Sequence, residues 1–254
     1  MKLLIRSLLN IKFFVILRNL FGIKPKFFHI NFNDKNLSVS DAFFWRTDSE
    51  YKTLFKFTNL LNFFYKDKDS EIEIVFYDKN NNLIKKISKE KVLLSDQLLV
   101  DRDFLGGMAD YGVFYIFHKT KKVHNSIIRN SCYLGYSLNN NLPSFVHGNV
   151  CASTKNFLGV DFNPGIAGMS FFMNQKYFIQ NYFDDYKKTE LLIHNPCSQK
   201  IFFSVNESNF QLNSGCSLIV DIGTQKYANI ISNCYLLRPI VINYKLDFID
   251  VYHG

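Results

Sequence analysis

From about residue 38 onward the chain is built of short apolar runs separated by clusters of Asn, Asp, Ser and Gly. The clearest run is Glu71-Ile-Glu-Ile-Val-Phe-Tyr-Asp78, in which Ile72, Ile74 and Phe76 alternate with Glu71, Glu73 and Val75. Alternation with a period of two puts one set of side chains on each face of a β-strand. Lys79-Asn-Asn-Asn82 follows, then Leu83-Ile-Lys-Lys-Ile87. Asn tolerates the left-handed backbone that tight turns demand, so this unit predicts a β-hairpin. The same chemistry predicts strands at Thr53–Phe57, Val113–His118, Leu191–His194, Ile201–Val205, Ser217–Ile222 and Pro239–Leu246. No helical pattern of about 10–15 residues separates these strands, which argues against a parallel α/β sheet and for an all-β chain of antiparallel sandwich layers.

The N-terminal 26 residues follow a different rule. They are apolar but carry Lys2, Arg6, Lys12, Arg18, Lys24 and Lys26 and no acid. The longest run without a charge or polar group is Phe13–Leu17, far short of the ~20 residues that cross a bilayer. Arg18 also ends the apolar region too early for a secretory leader, and no small-residue cleavage site precedes Pro25. The segment predicts a short basic helix with Lys2, Arg6 and Asn10 on one face. Two destinations stay open for it: the protein's own body, or an anionic membrane with Phe13, Phe14 and Leu17 dipping in.

Composition sharpens this picture. The chain of 254 residues is 47% hydrophobic and 17% aromatic, which excludes disorder and supplies real cores. Its net charge of +8 points to nucleic acid until the charge is located. The first 26 residues hold +6 of it and leave 24 basic against 22 acidic side chains elsewhere. A nearly neutral body gains little from counterion release, so nucleic acid is not an expected partner.

A weak internal echo recurs about 130 residues apart. Asp41–Arg46 is repeated at Gly168–Met173, Phe55–Asn59 at Leu191–Asn195, and Gly112–Phe117 at Pro239–Tyr244. The order of the landmarks predicts two tandem β-sandwiches, residues 38–140 and 141–254, with Asn139-Asn-Asn-Leu-Pro143 as the joint.

Local catalytic signatures are missing. Cys132, Cys151, Cys197, Cys216 and Cys234 are an odd set without Cys-x-x-Cys spacing, as expected of reduced thiols in the cytoplasm. His118, His124 and Cys132 are too scattered to predict a metal site. No nucleophile elbow and no phosphate-binding glycine loop occurs, so no cofactor is expected. Asp184 and Asp185 are adjacent, whereas glycoside hydrolysis needs carboxylates on opposite sides of a cleft.

The densest collection of recognition groups straddles the expected joint. Arg129, Tyr133, Tyr136, His147 and Asn149 combine aromatic faces with hydrogen-bonding tips, the mixture that sugars and other polar ligands require. Trp45 and Arg46 form a second candidate, either a cation–π pair or a core anchor beside a charge. Ser40-Asp-Ala-Phe-Phe-Trp-Arg46, Tyr111–His118, Tyr133-Leu-Gly-Tyr136, Phe145–Asn149 and Leu237-Arg-Pro239, in that order, resemble uncharacterised two-domain β proteins of bacterial surface-polysaccharide gene clusters. The resemblance implies a cytoplasmic role near glycan or lipid-linked sugar assembly, peripheral to the inner membrane if the N-terminal segment binds lipid. The expected function is a non-catalytic module that binds a glycan or a partner enzyme. The alternative is an enzyme acting on an anionic or sugar substrate, with His147 as acid or base and Arg129 as anion holder.

Overall fold

The computed structural model describes residues 36–254 apart from 93, 131, 149, 170–173, 181–185, 236 and 247, together with Phe13, Phe14, Leu17 and Phe21. The helix expected over residues 1–26 lies outside the described residues except at those four positions. From Asn36 onward the chain is almost entirely β. Its first part comprises β1 (Asn36–Asp41), β2 (Phe43–Arg46), β3 (Tyr51–Thr58), the short helix α1 (Leu60–Tyr65), β4 (Glu71–Asp78), β5 (Leu83–Lys89) and β6 (Ser95–Val100). There follow β7 (Tyr111–Lys119), β8 (Ser126–Arg129), β9 (Tyr133–Leu138), β10 (Ser144–His147), β11 (Cys151–Asn156) and β12 (Asn163–Pro164). The last part holds β13 (Gln175–Gln180), β14 (Lys188–His194), β15 (Ile201–Val205), β16 (Ser208–Leu212), β17 (Ser217–Gly223), β18 (Tyr227–Ser232), β19 (Ile240–Tyr244) and β20 (Ile249–His253). Each strand predicted from alternation is present, and β4 and β5 pair as the expected hairpin, with Asn81 left-handed in its turn.

The strands form five sheets. Sheet I runs β2-β7-β4-β5, sheet II β10-β9-β3-β6, sheet III β13-β18-β15-β16, sheet IV β20-β19-β14-β17 and sheet V β12-β11-β1-β8. Only β1 with β8 pairs in parallel among the described strands. If β13 through β20 replace β2 to β7, β9 and β10 in order, sheets I and II become sheets III and IV. The strand order is therefore written twice, while β1, β8, β11 and β12 make up sheet V.

This correspondence sorts the sequence landmarks. Phe55–Asn59 and Leu191–Asn195 lie on β3 and β14 and the residues just after them, which are equivalent strands. The shared Asn has one job in both places. Asn59 is fully buried, accepts from Asn62 N–H and donates to Ser70 Oγ and Val92 O. Asn195, also fully buried, accepts from Cys197 N–H and donates to Gln199 O and Leu212 O. Each side chain replaces the backbone partners that the chain loses on leaving its sheet. The landmark Gly112–Phe117 is placed differently: the strand orders match β7 with β18, not with the Pro239–Tyr244 run. The landmark Gly168–Met173 reaches residues outside the described ones. The run Asn139–Pro143 is the turn between β9 and β10, which pair within sheet II, so the expected joint falls inside a hairpin. Asn139 and Asn140 have φ of 53° and 61° there, which explains an Asn run without invoking a linker.

Sheets I and II face each other across an aromatic core. Phe114 lies 4.6 Å from Phe55, 4.9 Å from Phe76 and 5.4 Å from Phe43 between ring centroids. Trp45 is fully buried over Gly112 and donates its indole N–H to Tyr77 O at 2.9 Å. Sheet IV is buried on both faces: Leu191, Ile193 and Val241 join Phe203 and Ile230 of sheet III, whereas Leu192, Ile240 and Ile242 join the first core. Where β2 ends along β7, the side chains of Ser38 and Ser40 of β1 accept from the buried backbone amides of His118 and Ile116. Sheet V thus covers an edge that would otherwise leave unpaired N–H groups.

Candidate functional site

Alternation gives sheet II one face for the core and one for solvent. Tyr51, Thr53, Phe55 and Phe57 of β3 point inward, which turns Lys52, Leu54 and Lys56 out. Register then lines up three rows across the outer face. Lys56 pairs with Gln97 on one side and Tyr133 on the other, and Tyr133 pairs with His147. Leu54 stands between Leu99 and Gly135, and Gly135 pairs with Phe145. Lys52 pairs with Ser137.

The large apolar groups on this face are open to solvent: Tyr133 is 47% exposed, Leu99 46% and Phe145 40%. Tyr133 and His147 rings meet at 4.5 Å with a 44° tilt. Lys56 Nζ stands 4.9 Å over the Phe145 ring. Gly135 makes the face flat, because a Cβ there would come within 2.7 Å of Phe145 Cε1, and without one the ring lies across the strand. The result is a platform of adjoining apolar rings bordered by ammonium, imidazole and amide groups. In sheet IV the equivalent face, with Leu192, Ile240 and Ile242, is buried against the first core; in sheet II it is open.

The residues singled out from sequence separate into two groups. Tyr133 and His147 are brought together on this platform. Tyr136, three residues along the same strand, points to the opposite face, is fully buried and donates to Phe44 O at 2.9 Å. Trp45 is likewise enclosed and has no face left for a ligand. Arg129 lies on β8 in sheet V, where its Nε and Nη2 bind the buried Asp41 carboxylate at 2.8 and 2.9 Å. That bidentate pair raises the Arg129 pKa and uses up the fork that was expected to hold an anion. Asn149 lies outside the described residues. Phe145, Lys56, Leu54, Leu99 and Gln97 complete the platform and were not singled out; alternation in β3 and β9 was the signal that could have found them.

Of the two readings of Trp45 and Arg46, Trp45 takes the core-anchor place and Arg46 pairs elsewhere. Its guanidinium lies 4.0 Å from the centre of the Tyr51 ring, not on Trp45, and binds both oxygens of Asp48 at 2.7 and 2.8 Å. It also donates to Glu190 Oε2 at 2.5 Å and Tyr244 OH at 3.2 Å, so it ties β2 to β14 and β19. Burial disfavours the Arg46 charge, but Asp48, Tyr244, Tyr51 and Glu190 outweigh it and keep the group ionised. Burial likewise pushes Glu190 up, and the Arg46 charge with hydrogen bonds from Lys188 and Tyr244 brings it below its ordinary value. Every strong donor and acceptor in this cluster is engaged within the protein, which makes it a structural tie.

The buried histidines are also structural. His118 accepts from Leu60 N–H at 2.9 Å, and burial pushes its pKa down to about 4. His194 stands 3.4 Å from Tyr115 OH and is pushed down to about 3, again by burial. Asp67, buried beneath α1, accepts from Thr120, Lys122 and His124. Burial pushes the Asp67 carboxyl up, and the Lys122, Thr120 and His124 hydrogen bonds more than reverse that shift. Among the described residues no group of three His, Cys, Asp or Glu side chains could hold a metal ion. The five cysteines carry no disulfide, although the buried Cys197 and Cys234 sulfurs are 3.4 Å apart. No helix among the described residues is long and apolar enough to cross a membrane.

No protein-family model matches this chain, and no curated protein is significantly similar to it.

Proposed function

We propose that the protein is a non-catalytic glycan-binding module of two tandem β-sandwich repeats, acting in the cytoplasm in bacterial surface-polysaccharide assembly. Sheets I and II form the first repeat and sheets III and IV the second, in line with the doubled strand order. The observation that carries the binding role is the open outer face of sheet II, with Tyr133, Phe145 and His147 side by side. A pyranose presents an apolar face of C–H groups and an equatorial rim of hydroxyls. The C–H face stacks on the electron-rich faces of aromatic rings, and the rim suits Lys56, Gln97 and Ser137 at the border. Lys52 and Lys56 favour sugars that carry carboxylate or phosphate. The enzyme alternative needs Arg129 free to hold an anion near His147, and the Asp41 pair works against it.

The test is a glycan array of acidic and neutral oligosaccharides, followed by calorimetric titration of the hits. Tyr133→Ala should weaken binding about five- to tenfold, the loss of one aromatic contact of about 1 kcal/mol, while the melting temperature stays within a few degrees. Unchanged affinity in both Tyr133→Ala and Phe145→Ala would remove the platform from the account.

A further inference from the structure

A second exposed apolar surface lies at the end of the first repeat where the chain enters it. Phe63 is 50% exposed, Phe64 63% and Val123 79%, with Tyr65, Leu158 and Val160 exposed beside them on three connecting segments. These segments are fastened together. Tyr65 stacks on His124 at 4.6 Å, His124 meets Phe157 at 6.3 Å, and Thr120 N–H donates to Phe157 O at 2.7 Å. The aromatic residues are also held rigidly outward. Helix α1 is capped by Asn59 and rooted by the buried Leu61 and Asn62, and its last three positions, Phe63 to Tyr65, are exposed. Adjoining rings exposed on a fixed scaffold mark an interaction site.

The same end receives the N-terminal segment. Asn36, the first residue of β1, accepts from His124 N–H at 3.2 Å and Asn125 N–H at 3.0 Å, and its carbonyl accepts from Phe157 N–H at 2.9 Å. The 35 residues before it, which carry +6 in their first 26, therefore leave from beside the exposed rings. Charge decides what covers this surface. Lys66, Lys68 and Lys121 are exposed here; Lys122, shared between Asp67 and Asp69, leaves one negative charge and Asp161 a second, so four lysines stand against three acids and the strong positive charge belongs to the N-terminal segment. A rim that is slightly positive does not neutralise a basic segment, and rings beside such a segment suit one surface that is apolar below and anionic above. We propose that this end of the molecule, together with the N-terminal segment leaving from it, docks on an anionic lipid surface, with Phe63, Phe64 and Val123 entering the headgroup region. An exposed apolar patch and a basic segment whose chain leaves next to it supply the pair of signals that stable peripheral attachment requires. The inference is independent of the glycan platform, which lies on sheet II.

The experiment is co-sedimentation of the full chain with vesicles of phosphatidylcholine alone and of phosphatidylcholine with phosphatidylglycerol. Wild type should bind the anionic vesicles and not the neutral ones, and added salt should weaken binding. Full-length Phe63→Ser/Phe64→Ser should lose roughly tenfold or more in affinity, as expected when two rings no longer bury apolar area. If that variant fails to fold, Val123→Ser and Leu158→Ser each serve the same purpose. Tyr133→Ala should bind vesicles like wild type. The proposal is overturned if anionic vesicles do not bind, if neutral ones bind equally, or if folded ring variants bind as wild type does. It is also overturned if the ring variants instead convert a dimer to a monomer in sedimentation velocity, which would make the patch a contact between copies.

Discussion

Removing Glu190 alone should be far more damaging than removing it together with Arg46. Glu190 accepts from Arg46 Nη1, Lys188 Nζ and Tyr244 OH, each at 2.5 Å, and both Arg46 and Glu190 are at most 5% exposed. Glu190→Leu leaves the Arg46 charge buried with one carboxylate in place of two. Breaking a buried pair by removing one partner costs about 3–5 kcal/mol. The lower end, about 3 kcal/mol, applies here, because Asp48 keeps both of its bonds to the guanidinium and Tyr244 keeps Tyr51 OH at 2.6 Å. At about 2–4 °C per kcal/mol for a chain of this size, the melting temperature should fall by about 6–12 °C. Arg46→Leu should cost a similar amount, because it leaves the buried Glu190 with Lys188 and Tyr244 alone and takes the partner of both Asp48 oxygens. In Arg46→Leu/Glu190→Leu the charges that lose a partner, Asp48 and Lys188, reach solvent, and two apolar side chains meet the rings of Tyr51 and Tyr244, so the double variant should lie within about 1 kcal/mol of wild type. Urea denaturation of the four proteins followed by circular dichroism measures the coupling. Additive losses, with the double variant as unstable as the sum of the singles, would refute the view that this cluster is a desolvated tie between the two halves.

Acid should destabilise the protein in two stages. Burial lowers His118 from 6.5 to about 4 and His194 to about 3, so below pH 6.5 the unfolded chain takes up protons that the native one refuses. Stability should therefore fall from pH 6.5 downward, by up to about 1.4 kcal/mol per pH unit for each histidine. Asp67, Glu73 and Glu190 are lowered from carboxylate values of 3.8 to 4.5, and their contribution should be lost below that range. A melting temperature that is flat between pH 7.5 and about 5 would contradict the first stage. Gly135→Ala should lift Phe145 off the strand, costing about 1 kcal/mol as an overpacked contact and weakening glycan binding; unchanged calorimetry would show that the Phe145 ring is not part of the platform. Asn195→Ala leaves Cys197 N–H, Gln199 O and Leu212 O without their buried partner, so it should cost about 2–3 kcal/mol in denaturation, and a loss under 1 kcal/mol would contradict the role assigned to it.

Period-two alternation made β3 and β15 legible because burial on one face is a local demand, written at every second residue, whereas β4, β7, β14 and β19 are buried on both faces and were legible as short apolar runs between turn residues. Which strands pair is not local, and the doubled sheet order came through only where one side chain does the same work twice, as Asn59 and Asn195 do. Gly112–Phe117 and Pro239–Tyr244 look alike because β7 and β19 are both buried on two faces, not because they are equivalent. The Asn139–Asn141 run carries turn chemistry, which is common to linkers and hairpins; the distinction lies in Tyr133–Leu138 pairing with Ser144–His147. For the platform, residue type identified Tyr133 and His147. Tyr136 has the same chemistry, and only strand parity places it on the inner face. Arg129 and Arg46 looked like recognition groups, but Asp41 and Glu190 engage them from 88 and 144 residues away; Asp48, two residues from Arg46, was the one local sign of a pair.

The most direct test of glycan recognition by sheet II is amide chemical-shift mapping with the tightest oligosaccharide from the array. Perturbations should be confined to β3, β9, β10 and β6, and be largest around Lys56, Tyr133, Gly135 and His147. Perturbations centred on the exposed Phe178 and Tyr227 of sheet III, or on the Phe63–Tyr65 end, with sheet II silent, would contradict it.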